Sequence, residues 1–176
     1  MEFAVSKRRL GALIVVAVAS LMAFLGVRLL NARVRPAHKL GAAEGRLAAC
    51  PDRPNCVSTQ ADSEEQRIDP LVLKGERKTE LQRLLSLVSE MPGSRSVSVR
   101  DDYLHFEFRS RWLGFVDDVE FFVDPGGQAI QFRSASRVGH SDLGVNRSRM
   151  EDIRRRFQQT STNSQPAAEP PERATQ

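Results

Sequence analysis

Lysine is nearly missing from this chain, with four residues against 22 arginines, and cysteine, histidine and tryptophan are scarce as well. Cysteine is limited to Cys50 and Cys56, histidine to His38, His105 and His140, and tryptophan to Trp112. Two cysteines with no further ligand spaced nearby fall short of a four-ligand zinc site. Their Cys-x5-Cys spacing is not the Cys-x-x-Cys of a redox pair. No glycine-rich phosphate loop, metal-ligand cluster or internal repeat is present. His140-Ser141-Asp142 contains triad residue types, but adjacent residues rarely achieve the convergence a triad needs. His105, beside Glu107, reads as a solvated sheet residue, and His38 falls in a linker. No cofactor and no metal are expected, and the favoured reading is non-enzymatic.

The missing lysines raise the question of what the arginines are for. Biased codon usage is one answer. A need for forked donors that grip carboxylate or phosphate is the other. The net charge of +4 is unevenly distributed. Residues 1–39 carry +6, residues 40–132 carry −5, residues 133–156 carry +4 and residues 157–176 carry −1. A high pI built this way does not mark a nucleic-acid binder, and no nucleic-acid partner is expected.

The first basic block flanks an apolar run, "LGALIVVAVASLMAFLGV", at residues 10–27. As a helix it would be about 27 Å long, near the ~30 Å hydrocarbon core of a bilayer. Arg28 could snorkel and let Leu29 and Leu30 join the span. Residues 1–30 are therefore expected to be a signal anchor or transmembrane segment. Cleavage as a signal peptide is the alternative, but the small-residue "AVAS" pattern lies inside the apolar run. Lys7, Arg8 and Arg9 argue for a cytoplasmic N-terminus, and Arg28, Arg33, Arg35 and Lys39 argue against it, so the positive-inside rule does not decide. "LAAC" at 47–50 imitates a lipoprotein box but does not directly follow the apolar region.

The two cysteines bear on the compartment. Pro51 and Pro54 bend the loop "CPDRPNC", which helps to bring the sulfurs together. A disulfide between Cys50 and Cys56 would suit an oxidising compartment beyond a secretory-type segment, and two buried free thiols are the alternative. Residues 31–47 read as a basic linker, 48–158 as one folded α+β domain and 159–176 as a disordered tail rich in Pro, Ser and Ala.

Inside the domain, Leu81, Leu84, Leu85 and Val88 recur at helical spacing, which predicts a helix over 75–90, or one opened by a Thr79–Gln82 capping box if it begins late. Four strands follow, at 96–100, 103–110, 116–124 and 129–136. Their inward residues are Val97 and Val99; Leu104, Phe106 and Phe108; Val119, Phe121 and Val123; and Ile130 and Phe132. Asn146 is the expected N-cap of a last helix, with Val145 and Met150 as a hydrophobic staple. The expected architecture is α-β-β-β-β-α: a four-stranded antiparallel sheet with one apolar and one polar face, and two helices on the apolar face.

The run "RSASRVGHSDLGVNRSRM", residues 133–150, joins the last strand to the last helix. Arg147 and Arg149 fall in the first turn of that helix, where cations are disfavoured unless something negative is near. That partner is either internal, from Asp142, Asp117, Asp118 and Glu120, or an external anion. In the second case Arg133, Arg137, Asn146, Arg147 and Arg149 would be the ligand-binding residues. "RSRWLGF" at 109–115 is read as a core edge or strand connection, with an exposed apolar lip touching a membrane or acyl chain as the alternative.

Three blocks resemble a bacterial family catalogued as domain of unknown function family 1499. They are "CPDRPNCVSTQ" (50–60), "EFRSRWLGFVDDVEFFVD" (107–124) and "IQFRSASRVGHSDLGVNRSRMEDIRRRF" (130–157). His140 departs from the tyrosine expected there, which argues against an essential acid–base role for it. The resemblance supports the domain boundaries and implies no activity, cofactor or catalytic residue. The expectation is a single-pass bacterial inner-membrane protein whose folded domain is periplasmic. It would be a non-enzymatic envelope protein that binds an anionic small molecule or lipid headgroup. The alternatives are a structural or scaffolding role in the envelope and, behind it, an enzyme using His105 or Asp142.

Overall fold

Leu104, Phe106 and Phe108 alternate with Tyr103, His105 and Glu107, and this period of two forces extended chain there. In the computed structural model, which describes residues 7–36 and 39–163, that stretch is the strand β4. The elements in chain order are α1 (Lys7–Arg33), β1 (Cys56–Ser58), β2 (Leu71–Val72), α2 (Arg77–Ser89), β3 (Ser94–Val99), β4 (Tyr103–Arg109), β5 (Val116–Val123), β6 (Ala129–Ser136) and α3 (Val145–Asn163). His38 and the tail from residue 164 onward lie outside the described residues.

All strands join one antiparallel sheet of six, not four, in the order β1-β6-β5-β4-β3, with β2 also on β6. β1 pairs with residues 133–135 and β2 with 129–130, so the two lie in tandem along β6. Without them β6 would present a row of unpaired N–H and C=O groups. At three and two residues they are too short to show an alternation, which is why sequence periodicity does not reveal them.

β3 also differs from expectation. The register shifts between Ser96 and Ser98, a bulge that turns the strand. Val97 and Val99 are exposed rather than inward.

The core lies between the sheet and the two helices. Phe106, Phe121 and Phe132 from the central strands meet Leu84 and Val88 of α2 and Met150, Ile153 and Phe157 of α3, all fully buried. Two amphipathic helices on one sheet face form the two-layer arrangement expected from the sequence. Gly93 closes the α2–β3 turn at φ +79°, and a Cβ there would lie 2.6 Å from the Arg109 carbonyl oxygen, so only glycine fits.

The helix caps differ from those expected. Glu76 is the N-cap residue of α2, and the Thr79 hydroxyl donates to its carboxylate at 2.7 Å. At α3 the capping carboxylate is that of Asp142, which accepts the N–H groups of Gly144 (3.1 Å) and Asn146 (2.7 Å). Asn146 sits inside the first turn with its side chain turned into the protein, and Val145 is exposed rather than stapled.

The second sheet face is not open to water. Leu47 and Ala42 pack on Tyr103 and Phe122, and the Gly41 N–H donates to Glu120 at 2.7 Å. Part of the stretch read as a linker therefore straps across the sheet. Cys50 and Cys56 are joined by a disulfide that ties the end of this strap to β1. It closes a short loop, so its removal by Cys50→Ser/Cys56→Ser is expected to cost at or below about 3 kcal/mol. Urea denaturation of the detergent-solubilised protein measures this, and a larger loss would mean that the bridge also holds the strap in place.

Candidate functional site

β4, β5 and β6 pair so that charged side chains meet on the strapped face. Glu107 lies opposite Asp118, His105 opposite Glu120, and Glu120 opposite Arg133. The alternation that sends Phe106, Val119 and Phe132 into the core sends these residues to the other side. Each of them is buried.

Two ion-pair clusters result. In the first, Glu120 is fully buried and accepts from the Gly41 N–H and the Tyr103 hydroxyl, both at 2.7 Å, and from Arg133 Nη1 at 3.2 Å. In the second, Arg137 Nε and Nη2 grip Asp118 at 2.9 and 2.8 Å, Nη2 reaches Glu107 at 2.6 Å, and Nη1 reaches the Val34 carbonyl at 2.9 Å. Asp118 also meets His105 Nε2 at 2.8 Å, and Glu107 accepts from Arg95 at 2.7 Å. Only a guanidinium presents this many donors in a fixed fork.

The electrostatics follow from these contacts. Burial pushes Asp118 up, but hydrogen bonds from Arg137 and His105 outweigh it and hold the carboxyl below its ordinary value. Burial also pushes Glu107 up, and Arg95 and Arg137 together pull it below its ordinary value. Arg137 is raised, first by its hydrogen bond to Asp118, against the opposing effect of burial. Burial and the neighbouring Glu120 carboxylate raise the Tyr103 hydroxyl far above the usual phenol range.

A carboxyl that is harder to protonate folded than unfolded contributes stability that is complete above its unfolded pKa. That contribution fades as pH falls through the lower folded value. Unfolded Asp and Glu titrate near about 4. The melting temperature in detergent is therefore expected to hold down to about pH 4.5 and to fall below that. Glu107→Gln should flatten the acid limb, and an acid limb identical to wild type would show that Glu107 contributes nothing to it.

A third polar cluster sits on the helix side. Asn146 is fully buried. Its Oδ1 accepts from Ser134 Oγ (2.5 Å) and Arg149 Nη1 (2.8 Å), and its Nδ2 donates to the Asn55 carbonyl (3.2 Å) and Ser136 Oγ (3.0 Å). Arg149 Nη2 donates to Asp117 at 2.6 Å, and its guanidinium lies 4.6 Å from the Phe108 ring centroid. This cluster stitches the residue before β1 to β5, β6 and α3.

The five residues expected to bind an anion are therefore not one site. Arg133 and Arg137 lie on the strapped face, and Asn146 and Arg149 lie under α3. Arg147 reaches outward to the carbonyls of Glu65 (2.7 Å) and Arg67 (3.1 Å). The internal partners are Glu120 for Arg133, Asp118 for Arg137 and Asp117 for Arg149. Asp142, also considered as an arginine partner, caps α3 instead. His105 and Asp142 belong to different clusters and do not face each other across a cleft. His105, read as solvated, and Glu107 beside it are members of the buried network, and Asn55 and Ser134 were not foreseen. The signal for them lies in the register, which places "DDVE" beside "RSASR". Among the described residues no group of three His, Cys, Asp or Glu side chains is arranged to hold a metal.

α1 is long and apolar enough to cross a membrane, and it stands ahead of an antiparallel sheet with helices on one face and an arginine–carboxylate layer on the other. These features define an α+β domain carried behind an apolar N-terminal helix. Within that class the chain belongs to the family described as "Protein of unknown function (DUF1499)", whose profile matches residues 46–157. No curated protein and no solved structure matches the chain significantly.

Proposed function

We propose that this chain is a non-enzymatic protein of the bacterial cell envelope, held by one inner-membrane span, whose folded domain lies outside the cytoplasm and serves as a rigid structural or scaffolding module. The observation that carries the reading is the internal use of the arginines. Arg133, Arg137 and Arg149 each already hold a carboxylate, so an external anion would have to displace one. Buried polar networks tie together the elements they join, and here most of the buried polar atoms are bonded, Arg133 Nε and Asn55 Oδ1 excepted. The groups able to move protons, His105, Asp118, Glu120 and Tyr103, bond to one another or to arginines beneath the strap. The apolar α1 and the disulfide support the location.

The anion-binding reading persists at one place. Among the described residues Arg147 bonds to main-chain carbonyls and to no carboxylate, and it borders a groove with His140 and Asp142. Melting of the detergent-solubilised protein in phosphate, or with phosphatidylglycerol, against chloride at matched ionic strength separates the two readings. A ligand of the native state alone raises the melting temperature. The scaffolding reading expects no anion-specific rise. A rise abolished by Arg147→Ala would replace it with binding. For location, a C-terminal alkaline phosphatase fusion is expected to be active and full length, and an active cytoplasmic reporter at the same position would reverse the placement.

A further inference from the structure

We infer that the loop at 110–115 inserts Trp112, Leu113 and Phe115 into the interfacial layer of the same bilayer that α1 spans, so that the domain docks on the membrane surface. The inference rests on the proposed anchoring of α1.

The loop is closed on itself by its own hydrogen bonds. Ser110 and Phe115 pair through Ser110 N–H to the Phe115 carbonyl (2.9 Å) and Phe115 N–H to Ser110 Oγ (2.9 Å), and Gly114 N–H reaches the Ser110 carbonyl at 3.2 Å. It is nevertheless apolar and uncovered: Trp112 is 68%, Leu113 39% and Phe115 41% exposed. Three large apolar side chains displayed on one turn mark an interaction surface.

Its position names the partner. Arg28 Nη1 donates to the carbonyls of Arg111 (2.8 Å) and Trp112 (2.9 Å), and Asn31 Nδ2 donates to that of Leu113 (2.8 Å). The loop therefore lies alongside the last turns of α1. Arg28 is the first charge after the apolar run of 10–27, and Leu29 and Leu30, both exposed, carry the apolar surface past it. A helix that spans with this run places Arg28 at the boundary between hydrocarbon and headgroups. Any group bonded to Arg28 shares that depth. Tryptophan prefers that layer because its ring is apolar and its N–H seeks a polar partner. Arg111, inside the loop, is placed where lipid phosphates would lie and has no ion pair among the described residues, while Arg109 just before it donates to the Gly114 carbonyl at 3.4 Å.

Trp112 is the only tryptophan in the chain, so emission excited at the red edge, where tryptophan absorbs and Tyr103 does not, reports on this loop alone. The experiment uses the full chain reconstituted in phosphatidylcholine–phosphatidylglycerol vesicles, floated after an alkaline wash. Trp112 emission is expected to be blue-shifted, to lose most of its intensity to lipids brominated near the headgroup, and to resist aqueous iodide. The variant Trp112→Phe/Val99→Trp moves the reporter to the exposed last residue of β3, which pairs with Leu104 at the end of β4 away from the loop. It should show the reverse: free iodide quenching and no bromolipid quenching. If the protein floats but Trp112 is quenched only by iodide, docking is wrong and the anchor stands. If Trp112 is shielded from both quenchers, a protein covers the loop and the inference fails. If the protein does not float, the anchoring itself fails and the docking with it.

Discussion

Arg137→Ala is expected to lower the unfolding free energy by about 3–5 kcal/mol, the range for removing one partner of a buried ion pair. For a domain of this size that is a fall of roughly 10–20 °C in melting temperature. The size follows from what is left behind. Asp118 and Glu107, both buried, lose their shared guanidinium, and the Val34 carbonyl loses its donor. His105 still meets Asp118 and Arg95 still meets Glu107, which places the loss toward the lower end of the range. Arg137→Lys should recover only part of it, since an ammonium cannot bond Asp118 through two nitrogens and reach Glu107 and Val34 as well. Urea unfolding in detergent measures both variants. A loss below about 1 kcal/mol for the alanine variant would mean that the network is solvated like an exposed ion pair.

Phe121→Ala is expected to cost a further independent sum of about 3–5 kcal/mol on the other side of the sheet. Phe121 is fully buried on the central strand β5. Its ring meets Phe106 edge-on, with centroids 6.3 Å apart, and lies tilted against Phe132 at 6.2 Å. Truncation removes both ring contacts and leaves a cavity under the two helices that the sheet cannot collapse to fill. Phe121→Leu keeps most of the volume and should cost less than about 1.5 kcal/mol if the neighbours repack. Equal losses for the two variants would show that ring shape, rather than filled volume, governs this part of the core.

These two residues also mark where the sequence was readable and where it was not. Phe121 announces itself, because Val119, Phe121 and Val123 alternate and no other placement hides all three. Arg137 does not, because its role depends on which carboxylates the register delivers. One partner for each of Arg133, Arg137 and Arg149 was among the acids at 117, 118 and 120, but pairing them needed the strand alignment, and Glu107 as a second partner of Arg137 was not among them. The burial of His105 and Glu107 was invisible because their partners Asp118 and Arg137 come from β5 and from just beyond β6, and the chain that crosses this face, bonded through Val34 and Gly41, is linker-like in composition. β1 and β2 are specified by the edge they fill and not by their own few residues. Asn146 has the chemistry of a cap. It lost that role to Asp142 because its side chain satisfies four buried groups at once.

The strap has a mechanical meaning. The chain leaving α1 does not enter the domain at an end of its fold. It is bonded across the middle of the sheet, through the Val34 carbonyl to Arg137 and the Gly41 N–H to Glu120. A pull from the membrane would thus be borne by side chains rooted in β5 and just beyond β6, before it reached the disulfide at Cys50. The family profile begins at residue 46, inside the strap. A fragment cut at that boundary would keep the buried charges and lose part of their lid, so a soluble version of this domain should begin no later than residue 34.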